Sequence, residues 1–151
     1  MHEFKELTVD QLTSEPAIVD LFHSHWEEIA LNKELMKLKP LLDKYYQIEG
    51  NGMLLIVGAY ADGELVGYSV NFINQHLHYA DLWTCMNDIV FVRQDLRKSG
   101  IGLELMQRTE QLAKARGAQM MLWHAKQNTA LADLLPRMGY RVQDIVFSRG
   151  L

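Results

Sequence analysis

The sequence holds a single cysteine, Cys85, so no disulfide can form within the chain and nothing in it calls for an oxidising compartment. Prolines number only three, Pro16, Pro40 and Pro136, and no stretch is rich in Pro, Gly or Ser as a linker would be. No apolar run is long enough to span a membrane. The first residues, with His2, Glu3, Lys5 and Glu6, lack the apolar centre of a secretory signal. Long basic runs are also missing, and the net charge is −4, which argues against general nucleic-acid binding. These absences together predict a cytoplasmic protein without a membrane partner. The 151 residues, 48% hydrophobic and 23% charged, suit one globular domain spanning 1–151 with a core of its own.

The most informative stretch runs from Asn87 to Gly102. Ile89-Val90-Phe91-Val92 reads as a strand, and a polar, basic turn follows before a helix opens at Ile101. Gly100 and Gly102 stand where strand gives way to helix, so the backbone there can come close to a ligand. The first N–H groups of a helix have no intrahelical partner and carry partial positive charge. A strand, a Gly-rich turn and a helix start therefore suit a diphosphate, and Arg93, Arg97 and Lys98 add full charges. A dinucleotide-binding turn would need a third glycine three residues after Gly102, where Leu105 stands.

Elsewhere the pattern predicts a short strand in residues 2–9 and a helix after Pro16, with Ile18, Leu21, Phe22, His25, Trp26 and Ile29 on its buried face. Leu31, Leu35 and Leu38 could extend that helix to Lys39, and Pro40 opens another over Leu41 to Ile48. Met53 to Tyr60 and Glu64 to Ile73 form a hairpin turned by Asp62-Gly63. A central strand covers Leu82 to Val92, and a helix covers Ile101 to Arg116, closed by Gly117. A strand over Ala118 to Ala125, a helix from Asn128 to Met138 and a last strand from Tyr140 to Arg149 complete the chain. This is a mixed α/β order, antiparallel first and with βαβ crossovers later.

Arg97-Lys98-Ser99-Gly100-Ile101-Gly102 resembles the R/Q-x-x-G-x-G/A signature of the GNAT N-acetyltransferase superfamily. Asn128, with Gly139-Tyr140 eleven residues later, is similar to the family's closing N-x-x-A…Y-x-x-x-G-F pattern. The resemblance implies the acyl-CoA N-acyltransferase fold, a central mixed sheet flanked by helices, and acetyl transfer from acetyl-CoA to a small-molecule or peptide amine. The pantetheine arm would lie along Val90, Phe91 and Val92, whose amides could bond it and the thioester carbonyl. Lys98, Ser99, Gly100, Ile101 and Gly102, with Arg97, would hold the diphosphate. Asn128 would touch the arm or simply cap its helix. The segments His76-Leu77-His78-Tyr79, Asn87-Asp88 and Trp123-His124-Ala125-Lys126 also look like a subgroup of small acetyltransferases often carried by phages.

The base that takes the amine proton is Asp88 or His124 on this reading. The first two helices would border the acceptor site, with Glu27, Glu28 and Asp81 attracting a cationic amine. His76 and His78 alternate around Leu77 and would line the acceptor pocket. Two histidines make an incomplete metal site, and no cysteine pair or His-Glu-x-x-His is present, so no metal is expected. The family's usual general acid, a tyrosine seven residues after the asparagine, is replaced by Leu135. Tyr140 lies beyond the stop at Gly139 and should point elsewhere. Only twelve residues follow Gly139, so the family's seventh strand is absent, very short, or supplied by a partner chain as in a homodimer. An acyl-CoA-binding or protein-interaction module that kept the fold and lost its chemistry is the alternative.

Overall fold

Four strands in antiparallel order, with a fifth added in parallel, organise the chain in a computed structural model that describes residues 1–151. β1 (His2–Leu7), β2 (Leu54–Ala61), β3 (Glu64–Gln75), β4 (Trp83–Val92) and β5 (Met120–Leu122) lie in the sheet in that sequence. The β2–β3 turn is the expected one: Asp62 and Gly63 both take positive φ, as a tight hairpin requires. β2 is buried along almost its whole length because both faces of the sheet are covered. That explains why it reads as a continuous apolar run rather than an alternating one.

Helices α1 (Val9–Thr13), α2 (Ile18–Ile29) and α3 (Leu42–Gly50) cover one face. Their core there joins Val9, Leu12, Ile18 and Leu21 to Ile56, Tyr68, Val70 and Phe91. Helix α4 (Ile101–Ala115) covers the other, setting Ile101, Leu105 and Ala113 against Leu55, Val57, Val66 and Cys85. Within that second layer Ser69 Oγ and Thr109 Oγ1 share a buried hydrogen bond of 2.7 Å. β3 and β4 approach closely at Gly67. A Cβ there would meet the Phe91 carbonyl oxygen at 2.8 Å, so no larger residue fits without moving backbone.

Four expectations need correction. Residues 31–39 do not extend α2, which ends at Ile29 with Ala30 extended. Leu31, Leu35 and Leu38 stay exposed, so their periodicity meets no core face. A helix at Val9–Thr13 was not foreseen, although Thr8 and Gln11 close a full capping box. Helix α5 (Ala130–Arg137) is capped by the side chain of Thr129, while Asn128 takes φ +64 just before it. The strand expected over 140–149 is absent. No backbone hydrogen bond is made beyond Tyr140, and β5, the edge it would pair with, is only three residues long. No helix is long and apolar enough to cross a membrane.

Candidate functional site

The site begins where β4 and β5 separate. β4 pairs with β3 from Trp83 to Val92, whereas β5 meets it only at Thr84, Cys85 and Met86. From Asn87 onward the β5-side edge of β4 is open. Asn87 itself fixes the split. Its buried side chain donates through Nδ2 to the His124 carbonyl (3.1 Å) and accepts the His124 N–H at Oδ1 (2.5 Å). An amide side chain thus stands in for the next rung of the ladder and holds the two strands at a fixed divergence.

The open edge presents particular amides. The Arg93 N–H donates to the Val66 carbonyl of β3 at 2.8 Å. In antiparallel pairing successive residues direct their backbone polar groups to opposite sides. The Val90 and Val92 N–H groups therefore face the open edge, and that of Phe91 faces β3. Phe91 contributes its ring instead, with the Arg97 guanidinium 5.3 Å from its centroid and the His25 imidazole stacked at 4.8 Å.

Beyond β4 the chain makes a short 3-10 turn over Gln94–Leu96 and enters α4 through Gly100, whose φ of +87 is easy only for glycine. The N–H groups of Gly100, Gly102 and Leu103 have no partner, while that of Ile101 reaches the Ser99 hydroxyl at 3.4 Å. These free donors sit at the positive end of a fifteen-residue helix. Three nearby cations are used differently. Arg93 is bound by Asp95 and by Glu64. Arg97 grips Glu28 of α2 with both terminal nitrogens (2.8 and 2.6 Å) and donates from Nε to the Val92 carbonyl at 2.9 Å. Lys98 is exposed and forms no ion pair, so its charge is the one left unneutralised at this turn.

Asp88 lies at a bulge. Val70 pairs with Ile89 and Asn71 with Asn87, so Asp88 has no partner on β3. Such an extra residue re-aims the side chains around it. Both Asp88, through the phenol of Tyr45 on α3, and Ile89, through the core, now meet the α1–α3 layer. Tyr45 donates to Asp88 Oδ2, and Oδ1 has no protein partner. Burial first, then the hydrogen bond to Asp88, pushes the Tyr45 phenol well above its ordinary range, so it remains a donor at neutral pH.

His124 is held by its backbone at the opposite lip of the split, with its ring exposed and unbonded. His76 and His78 lie in the turn after β3, their ring centroids 5.7 Å apart and His76 4.7 Å from Tyr79. The His78 N–H donates to His76 Nδ1, and no group of three or more ligating side chains is placed to hold a metal. Glu27 is exposed beside His23, and it is Glu28, its neighbour, that reaches the loop. On α5 Leu135 stands seven residues after Asn128, and the Tyr140 phenol is turned to the carboxylate of Glu110 on α4. Glu28, Tyr45 and Asn87 were not singled out for these roles by sequence. Their partners lie 37 to 69 residues away, and no local spacing signals such pairs.

Two surface cavities, of about 480 and 210 Å³, lie along β1 and the exposed side of α4 and include none of these residues. Both are separate from the opening of the sheet.

No curated protein matches the sequence. The fold, by contrast, is widely shared. It superposes on an aminoglycoside acetyltransferase from an uncultured soil metagenomic sample with a TM-score of 0.75 at 16% identity, covering 100% of this chain and 99% of that one. A ribosomal-protein-alanine N-acetyltransferase from Brucella melitensis gives 0.71 at 14% identity, with 100% of each chain covered. AAC(6')-Iy, solved with the bisubstrate analog CoA-S-monomethyl-acetylneamine, gives 0.68 at 16% identity over 100% of this chain and 99% of that one. At these identities the likeness concerns the fold. The sequence itself matches the model of the acetyltransferase (GNAT) family over residues 16–140. With the split sheet and the glycine turn at the start of α4, that match places the chain in the GNAT acetyltransferase family.

Proposed function

We propose that this protein transfers an acetyl group from acetyl-CoA to a primary amine, with Asp88 as the base. The carrying observation is the split between β4 and β5, whose open edge presents the Val90 and Val92 amides beside the unpaired N–H groups of α4. An extended arm bearing amides can add to a free strand edge as a peptide would. A diphosphate can occupy the helix start, with Lys98 as its counter-charge. Ser99, Ile101 and Asn128 are assigned to the same path, and His76, His78 and Glu27 to the acceptor side.

In the reaction the amine nitrogen attacks the thioester carbonyl carbon. A C–N bond forms, the C–S bond breaks, and the amine proton passes to Asp88. Backbone N–H groups of β4 stabilise the oxyanion that develops on the carbonyl oxygen. The thiolate leaves with a thiol pKa near that of free cysteine, about 8.5, so solvent can protonate it. Leu134, Leu135 and Met138 offer no proton, and the Tyr140 phenol is bound to Glu110. We assign the protein to the cytoplasm, where acetyl-CoA is available, as one catalytic domain over 1–151.

Two measurements test the reading. Calorimetry should detect acetyl-CoA binding, and thiol release should depend on an added amine from a set containing an aminoglycoside, a polyamine and a peptide N-terminus. Binding with no acceptor-dependent release would favour the non-catalytic module, for which Leu135 in place of a proton-donating tyrosine is the supporting feature. Gly102 offers a sharper test of the phosphate site. A Cβ at Gly102 meets only Val92 Cγ2, at 3.8 Å, so the fold has room for a side chain. Leucine is also a better helix former than glycine by up to roughly 1 kcal/mol. Gly102→Leu should therefore keep or raise the melting temperature while weakening acetyl-CoA binding about tenfold or more. Unchanged affinity in that variant would remove the phosphate-loop assignment.

A further inference from the structure

We infer that Tyr45 is a positioning residue for Asp88, its phenol fixing one carboxylate oxygen so that the other is presented to the acceptor amine; this rests on the assignment of Asp88 as base. The supporting geometry starts with α3. That helix buries no residue fully, so packing alone does not set its place. Polar fasteners do. Glu49 accepts the Val9 N–H at 2.7 Å, and the Tyr46 phenol donates to Asp10, so α3 is tied at two points to α1. The first turn of α1 is anchored in the core by Val9 and Leu12.

The third fastener is the bond from Tyr45 to Asp88 Oδ2, and it alone joins α3 to the site. The Tyr45 ring is half-buried and stacks on Phe72 with centroids 6.2 Å apart, which limits its own freedom. Asp88 has none of this support by itself. It is exposed, sits at a bulge without a β3 partner, and would rotate freely without the phenol. A base must be held within hydrogen-bond reach of the proton it removes, and restraint on a flexible carboxylate contributes directly to that. The phenol binds only one oxygen, so Oδ1 keeps its lone pairs for the amine.

The test is a double-mutant cycle on the intact protein, using whichever amine of the set above gives the fastest thiol release. Tyr45→Phe keeps the ring and its stacking and removes only the donor. It should lower kcat about tenfold or more, the scale of a hydrogen bond to a charged group, with the Kd for acetyl-CoA and the melting temperature nearly unchanged. In an Asp88→Asn background the same change should cost less than about twofold, because the base it positions is gone. Equal losses in both backgrounds would mean a general structural role and overturn the inference. So would an unchanged kcat in Tyr45→Phe when Asp88→Asn is inactive, and that result would leave the base assignment standing. Full activity in Asp88→Asn would overturn the base assignment and this inference with it.

Discussion

Asp88→Asn is expected to lower kcat by about a hundredfold or more, the usual contribution of a positioned general base, with acetyl-CoA affinity little changed. Asparagine keeps the size of the side chain and can still bond the Tyr45 phenol, so the fold should not suffer. What it cannot do is accept the amine proton. His124→Ala is the paired measurement. Histidine is the side chain most often used as a general base. The geometry favours the aspartate, because a neighbouring element restrains its carboxylate while nothing holds the imidazole. His124→Ala should therefore cost less than Asp88→Asn. Its backbone contacts to Asn87 survive the substitution, so the split between β4 and β5 should persist. Should the order reverse, with the histidine variant inactive and the asparagine variant near normal, the base is His124.

The residues most legible in sequence were those whose message is local. Asp62-Gly63 announces its turn because two successive positive φ values need such residues. Gly100 marks the entry to α4 for the same reason. The apolar faces of α2 and α4 follow from helical spacing, and Ile18, Leu21, Ile101 and Leu105 are indeed buried. What failed was periodicity without a surface to meet. Leu31, Leu35 and Leu38 repeat like a helix face, yet no sheet lies under them. Tyr140 to Arg149 is rich in β-formers, but a strand is defined by its neighbour, and β5 gives too short an edge. The site was legible as a list of residues and not as an arrangement. A bulge that re-aims Asp88, and side-chain pairs such as Tyr45 with Asp88, exist only after distant segments meet. Glu28 is the clearest case. The sequence suggested a carboxylate that attracts a cationic amine, and in the fold it locks the loop arginine to α2.

Folding stability should fall on mild acidification, and His25 is the reason. It sits 7% exposed on α2, stacked on Phe91, with Nδ1 3.0 Å from the hydroxyl of a fully buried Tyr68. Burial lowers its pKa from 6.5 to about 4; the Glu28 carboxylate opposes that, and the Arg97 guanidinium adds to it. In the unfolded chain the imidazole takes up a proton near pH 6.5, whereas in the folded protein it stays neutral until about pH 4. Between those values the unfolded state binds more protons, so stability drops as pH falls and levels off below the folded value. At about 1.4 kcal/mol per pH unit, the full gap is worth about 3 kcal/mol, a large share of a typical domain's stability. Other groups titrate as well. Arg97 holds the Glu28 carboxyl below its usual range, so Glu28 protects the fold above its unfolded value and loses that role only at lower pH. Urea unfolding of the wild type and His25→Gln at pH 7 and pH 4.5 separates the two. Glutamine can still bond the Tyr68 hydroxyl but does not titrate. The wild type should lose roughly 2 to 3 kcal/mol more than the variant between those pH values. Parallel losses in the two proteins would mean that His25 is already charged, or free to reach water, in the folded state.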